Sequence, residues 1–392
     1  MSIHISSSIR SVGVNDPHAT LFEAQYHLPH GMSYNSYVIL DHKIAVMDTV
    51  DAHCVSAWIQ QLADALDGRT PDYLVVHHME PDHTAGIEAI MRRYPDIKLV
   101  ASAGAIKMLP QFFGDTDFTG RVMTVREGDT LQLGDHKLHF IAAPMVHWPE
   151  VMVSYEEREK VLFSADAFGK FGIDNYPDNW VDEARRYYIN IVGKYGMQVT
   201  SLLNKLEPAK VAAIAPLHGP VLQNDILPYV NLYKLWSGYI PETRGVLVAY
   251  ASIYGGTAEA ARRIARMLLE AGEEHAPLMD LCVCDQSEAI AQAFRYDRMI
   301  VAAPTYDAAI YPAMHDFLHH LALKGYRDRT VGIIENGSWA PAAGKQMRDM
   351  LSKMKGITIV DPCVTVRSRL NKDSLNTLSQ LAAAMTQQNQ SK

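Results

Sequence analysis

The sequence predicts two parts of different fold class. Residues 1–242 read as an α+β or sandwich core with helices outside, and residues 243–392 as a doubly wound parallel α/β sheet. Three observations carry this. The composition changes character around Tyr239-Ile240-Pro241-Glu242-Thr243-Arg244-Gly245. Before that point, short apolar runs alternate with turns; after it, strands and helices alternate regularly, as a parallel sheet requires.

In chain order, Tyr37–Leu40 and Ile44–Met47 are short strand-like runs separated by the turn Asp41-His42. Tyr73–His77 reads as a buried strand, and a helix is expected to start near Thr84. Phe140–Val146, Val161–Ala165 and Val211–Leu217 are further apolar strands, each followed by a polar residue and a loop with glycine or proline. In the second part, strands are expected at Gly245–Ser252, Arg298–Thr305, Thr330–Glu335 and Ile357–Arg367. Helices are expected at Thr257–Gly272, Pro312–Lys324, Gly344–Lys355 and Lys372–Gln387. They alternate as the β–α units of a doubly wound sheet, with a polar tail that frays after Thr386.

The bulk numbers narrow the function classes. At 392 residues the chain is long enough for two or three domains. Hydrophobic residues at 48 % and charged residues at 20 % describe an ordinary globular protein. A net charge of -8 without a basic block argues against nucleic acid as a partner. No apolar run approaches the roughly 20 residues that span a bilayer, and the first residues lack a secretory pattern, so the expected location is the cytoplasm. Cys54, Cys282, Cys284 and Cys363 form no Cys-x-x-Cys pair, which excludes a zinc ribbon or rubredoxin-type site in this chain. Cys282-Val283-Cys284 has strand-like alternation and reads as plain reduced thiols. His4, His18, His42, His53, His136 and His275 lack acidic or histidine company at ligand spacing, and His319 and His320 read as helix surface. His77 alternates with His78 across its strand and belongs behind the cluster or in the core.

His78-Met79-Glu80-Pro81-Asp82-His83 places four potential metal ligands within six residues, between a strand and a helix. Two imidazoles and two carboxylates without a thiolate suit a hard or borderline, redox-active metal better than a structural zinc, which leaves a hydrolase and a redox enzyme to choose between. His147, Asp166 and His218 each end an apolar strand, and their recurrence in one context points to a shared site. A polar loop that merely caps a helix would use Asp82 and leave Glu80 and both histidines without a role.

The first strand of the second part ends in Ser252-Ile253-Tyr254-Gly255-Gly256-Thr257. Such a loop turns backbone N–H groups and a helix N-terminus toward a phosphate. It is neither the dinucleotide fingerprint nor a Walker loop, and one short loop suits one terminal phosphate, hence FMN over NAD or FAD. It resembles the flavodoxin phosphate loop, with Gly256 where that family often carries asparagine. Pro304-Thr305-Tyr306-Asp307 and Asn336-Gly337-Ser338-Trp339 follow later strands at their carboxyl ends, and Tyr306 and Trp339 offer rings to an isoalloxazine.

The order His-x-Glu-x-Asp-His, then His, Asp and His, resembles the metallo-β-lactamase fold, an αββα sandwich whose loops meet at one edge. Zinc hydrolases of that fold carry histidine where Glu80 stands. The glutamate version is similar to the flavodiiron proteins (A-type flavoproteins), across essentially the whole chain, including Gly31-Met32-Ser33-Tyr34-Asn35-Ser36-Tyr37 and Ile214-Ala215-Pro216-Leu217-His218-Gly219-Pro220. The resemblance implies one iron held by His78, Glu80 and His147, a second by Asp82, His83 and His218, and an Asp166 bridge. These seven ligands are then also the catalytic centre. It implies reduction of dioxygen to water, of nitric oxide to nitrous oxide, or both, fed by FMN. It further implies a head-to-tail homodimer or a dimer of dimers, and an external donor such as rubredoxin or a flavin reductase. Two other readings compete: a zinc hydrolase with an appended flavodoxin, and a non-enzymatic flavin electron carrier.

Overall fold

A computed structural model describes residues 5–174, 176–177 and 179–387. His4, the first residues read for a secretory pattern, and the last residues of the expected frayed tail lie outside the described residues. The chain divides into two compact units, Met1–Ser237 and Gly238–Lys392.

The first unit contains two six-stranded sheets. One runs, in spatial order, Ile9–Ser11, Tyr37–Ile39, Ala45–Met47, Tyr73–Val76, Lys98–Ser102 and Val122–Val125. The other runs Thr130–Gln132, Lys137–Ala142, Met152–Glu156, Val161–Phe163, Ala213–Ala215 and Leu222–Gln223. One apolar cluster joins them: Tyr37, Met47, Tyr73, Val75 and Val100 from the first sheet, Leu138, Phe140, Met152 and Phe163 from the second. In Tyr73–Val76 all four side chains are buried, so a strand alternating sides is covered on both faces. Tyr73 and Val75 face the other sheet, which leaves Leu74 and Val76 for the helical side. This is the αββα sandwich expected from the sequence, and each large apolar side chain buried in it contributes about 1.5–3 kcal/mol.

The second unit is a parallel sheet in the order Leu278–Asp280, Thr243–Tyr250, Tyr296–Tyr306, Thr330–Asn336, with Thr358–Ile359 and Val364–Val366 sharing the last edge. That is the flavodoxin-like order, whose switch point lies between the first and third strands of the chain. Helices Gly256–Glu270 and Lys372–Gln387 bury Ile264, Leu268, Leu378, Leu381 and Met385 against Val246, Val248, Ile300 and Ile334. Among the described residues, no helix is long and apolar enough to cross a membrane.

Three local expectations are corrected. Ile357–Arg367 is two short strands, because Pro362 has no N–H for the sheet ladder. Cys282–Cys284 is a turn that caps the strand Leu278–Asp280, the Val283 and Cys284 amides both donating to the Asp280 carbonyl, and Val283 is 82 % exposed. The helix expected from Thr84 is instead a turn at Pro81–Thr84 followed by a helix at Ile87–Arg93. Pro81 begins that turn because its fixed φ suits the first helical position.

Candidate functional site

The turn Pro81–Thr84 sets the first four ligand candidates. Glu80 precedes it in an extended conformation, while Asp82 and His83 lie inside it and are buried. Thr49 braces the turn: its amide and hydroxyl both donate to the His83 carbonyl at 2.8 Å, and its hydroxyl accepts from the Gly86 amide. Asp82 makes no helix cap; both its oxygens are buried without a hydrogen-bond partner among the described residues. That removes the capping explanation of the cluster.

His147 stands in the loop after Lys137–Ala142, Asp166 after Val161–Phe163 and His218 after Ala213–Ala215. The structure brings all three to the cluster in two groups. His78, Glu80, His147 and Asp166 offer ligand atoms within 4.8 Å of one another, and Asp82, His83 and His218 do the same. Glu80 Oε2 is 3.2 Å from His78 Nε2 and 3.1 Å from His147 Nε2. Asp82 lies 3.4 Å from His83 Nε2 and 3.3 Å from His218 Nε2. Asp166 divides its oxygens: Oδ2 is 3.2 Å from His147 Nε2 and 3.4 Å from His78 Nε2, and Oδ1 is 3.1 Å from His83 Nε2 and 3.6 Å from His218 Nε2.

This donor set fits a pair of metal ions. Among the described residues, Asp166 Oδ2, both Asp82 oxygens and His218 Nε2 are buried without hydrogen-bond partners, at a cost that a coordinated cation removes. The electrostatics agree. Burial would lower His83, yet the Asp82 and Asp166 charges raise it to about 9; His147 is likewise raised to about 9 against burial by Asp166 and Glu80. Burial would raise Glu80, but hydrogen bonds from His147 and His78 bring it to about 2. Carboxylates in this interior thus hold positive charge in place, as protons when no metal is bound.

The residues behind the ligands were not legible in the sequence. Glu150 Oε1 accepts from His78 Nδ1 at 2.8 Å and from the Met79 amide at 2.9 Å. His218 Nδ1 donates to the Ser33 carbonyl at 2.7 Å, and the Gly219 amide donates to Ser33 Oγ at 2.5 Å. Asn35 Nδ2 donates to the carbonyls of Pro216 and Gly219, and the Tyr37 hydroxyl to that of Pro216. The segment 31–37 is therefore a clamp on the His218 loop. Gly219 is required there, since its φ is +80° and a Cβ would meet Lys170 Cγ at 2.7 Å. His77 pairs with Asp48 at 2.5 Å and Ser154 at 2.8 Å, which makes it a buried structural group, as its strand position implied. His53 and His136 do have acidic company, from Asp16, Asp51 and Glu156, brought in by the fold.

A cavity of about 420 Å³ leads to this cluster, lined by Leu21, Phe22, Tyr34, His53, Glu80 and Asp82 among others. The Tyr187 ring lies 5.6 Å from that of His218. The Tyr187 hydroxyl is buried without a hydrogen-bond partner among the described residues, and burial together with the charges of Asp166, Glu80 and Asp82 pushes its pKa well up.

In the second unit a cavity of about 490 Å³ opens at the carboxyl ends of the strands. It is lined by Ser252, Ile253, Tyr254, Gly256, Thr257, Pro304, Thr305, Tyr306, Asp307, Asn336, Gly337, Ser338 and Trp339, all expected from the sequence, and by Ser368 and Arg369, which were not. Gly255, the remaining expected residue, supplies a left-handed turn (φ 88°) before the helix. Ser252 Oγ accepts from the amides of Gly255 and Ala258 at 3.2 Å, and Thr305 Oγ1 from those of Ala342 and Ala343. The volume lies in the range of cofactor pockets, about 300–1,000 Å³. Tyr254, Trp339 and Tyr306 are 97 %, 88 % and 47 % exposed at the rim, so flat rings stand ready for a flat ligand. Gly256 differs from the flavodoxin asparagine for a steric reason: a Cβ there would run into the Ser368 carbonyl oxygen.

The family described as "ODP family beta lactamase" matches residues 32–219. The nitric oxide reductase of Moorella thermoacetica is 30 % identical over 377 residues, covering 93 % of this chain and 93 % of that protein. The anaerobic nitric oxide reductase flavorubredoxin of Escherichia coli is 28 % identical, over 88 % of this chain and 74 % of its own length. Among solved structures, the rubredoxin oxygen:oxidoreductase of Desulfovibrio gigas superposes with a TM-score of 0.92 at 25 % identity, covering 99 % of this chain and 98 % of that one. The flavodiiron protein of Giardia intestinalis shares the fold, at a TM-score of 0.91 and 21 % identity over 99 % of this chain and 97 % of that one. A relative 30 % identical over 93 % of both chains, and a chemistry that the two cavities fit, lead to one conclusion: the chain belongs to the flavodiiron proteins, oxidoreductases that work with FMN and a diiron centre.

Proposed function

We propose that the chain reduces dioxygen to water, nitric oxide to nitrous oxide, or both, with His78, Glu80 and His147 holding one iron, Asp82, His83 and His218 the other, and Asp166 bridging them. The observation that carries this reading is Asp166, which turns one oxygen to each group of histidines. When bound, the iron pair supplies two electrons and FMN two more. Dioxygen to two waters consumes four electrons and four protons; two nitric oxides to nitrous oxide and water consume two of each.

The protein's own residues hold the ligands rigid and limit access. Leu21, Phe22, Tyr34, Glu80 and Asp82 line a cavity of about 420 Å³, ample in volume for a diatomic gas. The Tyr187 hydroxyl, without a hydrogen-bond partner among the described residues and within the field of Asp166, Glu80 and Asp82, is suited to donate to a polar atom bound there. The FMN domain, proposed over 243–392, binds its cofactor through the Ser252–Thr257 loop at the phosphate and through the Pro304–Asp307 and Asn336–Trp339 loops at the ring; the diiron domain is proposed over 1–242.

The remaining parts of the reading are an external donor of the rubredoxin or flavin-reductase kind, a head-to-tail homodimer or dimer of dimers, and a cytoplasmic location. Two relatives carry rubredoxin in their names, which supports a donor of that kind. Anaerobic rapid mixing of the reduced, iron- and FMN-loaded protein with each gas tests the function. Reoxidation of both flavin and iron within the turnover time by at least one gas is expected. Purified protein holding zinc and no flavin would overturn it.

A further inference from the structure

The two groups of ligands are matched in their inner charges, one carboxylate each and a shared Asp166, yet the residues behind them differ. Behind His78 stands a carboxylate. Glu150 is 5 % exposed, its Oε1 accepts a hydrogen bond from His78 Nδ1 at 2.8 Å, and its Oε2 is buried without a partner among the described residues. The position is fixed from several sides: the Met79 amide donates to the same oxygen, Ser102 Oγ donates to the Glu150 carbonyl at 2.8 Å, and Gly104 leaves room where a Cβ would meet Glu150 Cβ at 2.9 Å. In the other group, His218 Nδ1 is backed by the neutral Ser33 carbonyl, and His83 Nδ1 has no partner among the described residues. Glu150 is the one carboxylate found behind a ligand histidine among those residues.

A carboxylate hydrogen-bonded to the far nitrogen of a ligating imidazole makes the ligand more basic, and buried charge acts strongly over such a distance. Both effects favour the more positive oxidation state of the metal on that side. We infer that Glu150 makes the two irons unequal, so that the iron at His78, Glu80 and His147 is the harder of the two to reduce. This rests on the diiron reading above. When the diferric pair takes one electron from the flavin, that electron goes to the iron at Asp82, His83 and His218. No ligand bond is made or broken, and the Nδ1 proton remains between His78 and Glu150. The second electron then reduces the iron in front of Glu150, at the lower potential. Delivery is therefore ordered, and the last electron held back is the one next to Glu80.

Potentiometric titration of the iron in the holoprotein and in Glu150→Gln tests this. The variant keeps the hydrogen-bonding shape and removes the charge. The lower midpoint is expected to rise by at least 59 mV, a tenfold change for one electron, and the upper midpoint by clearly less. Both midpoints unchanged, or shifted equally, with two irons still bound would overturn the inference. Mössbauer spectra of the wild-type diferric protein give a test that does not depend on the variant folding: two doublets of equal area are expected, and a single doublet overturns it. Failure of the diiron reading looks different, with fewer than two irons per chain in the wild type, or both irons retained in His218→Ala.

Discussion

In the first unit the proposed ligands lie in a charged interior, with Asp166, His78, His83 and His218 fully buried and held by Thr49, Glu150, Ser33 and Asn35. In the second unit the ligand cavity is open, made from loop backbone and small side chains and rimmed by exposed Tyr254 and Trp339. The contrast follows from what each site must hold. Buried carboxylates and imidazoles are costly unless a cation balances them, so the metal site is preorganised and its charge belongs to the fold. A flavin brings its own apolar ring and phosphate, so the second site needs little more than amides and flat surfaces. The metal site should therefore respond sharply to single changes and to pH, and the flavin site mildly.

The largest expected effect is at Asp166. Replacing the proposed bridging carboxylate by alanine should lower iron content and gas reduction by about 100-fold or more, beyond the 10–100-fold typical of residues one step removed from a metal. Metal analysis with an oxygen or nitric oxide electrode reads it; retention of both irons in Asp166→Ala would break the contrast. Next is pH. Because metal must displace protons from His83 and His147, iron affinity should climb as pH rises from 6.5 towards 9 and level off above, by about tenfold per unit for each proton released. The metal-free protein should behave oppositely. The folded values of these histidines lie above 6.5, so their contribution to stability is complete below pH 6.5 and is lost as pH passes 9. Chelator competition and thermal melts of the metal-free protein check the two directions.

In the flavin unit, Gly256→Asn should cost about 1–3 kcal/mol by overpacking against Ser368, weakening FMN by roughly 5- to 150-fold while iron content stays unchanged. Tighter binding would show that the steric reason for this glycine is wrong. The smallest effect is Trp339→Ala, about 0.5–1.5 kcal/mol and so roughly a 2- to 10-fold weaker flavin, read by fluorescence titration.

The same contrast governs what the sequence reveals. Ligands that sit at strand ends or crowd into six residues carry their own signal, and Glu80 alone separates the iron pattern from the zinc one. Glu150 carries none, because a carboxylate that backs a ligand has no fixed spacing from it and looks like any loop glutamate. The clamp was visible as a segment, Gly31–Tyr37, but not as a clamp, since its partners are more than a hundred residues away. Ser368 was missed for a different reason: treating Ile357–Arg367 as one strand passed over the Asp361-Pro362 break and the loop that follows the second piece. The turn at Pro81 was readable from proline at a first helical position and was placed too late.

The clamp also sets an order in time. Ser33 and Gly219 are separated by 186 positions, and until they meet the His218 ring lacks its Ser33 anchor. A chain emerging from the ribosome carries the His78–His83 cluster long before it carries that partner, and contacts of such long range are slow to form. On the proposed assignment, the half-made site has His78, Glu80, His147 and Asp166 for one metal, while Asp82 and His83 await His218 for the second. On that assignment, capture of the second metal would wait for the closing step of the first unit, and a chain that has acquired both ions would be one whose synthesis has reached and folded residue 219.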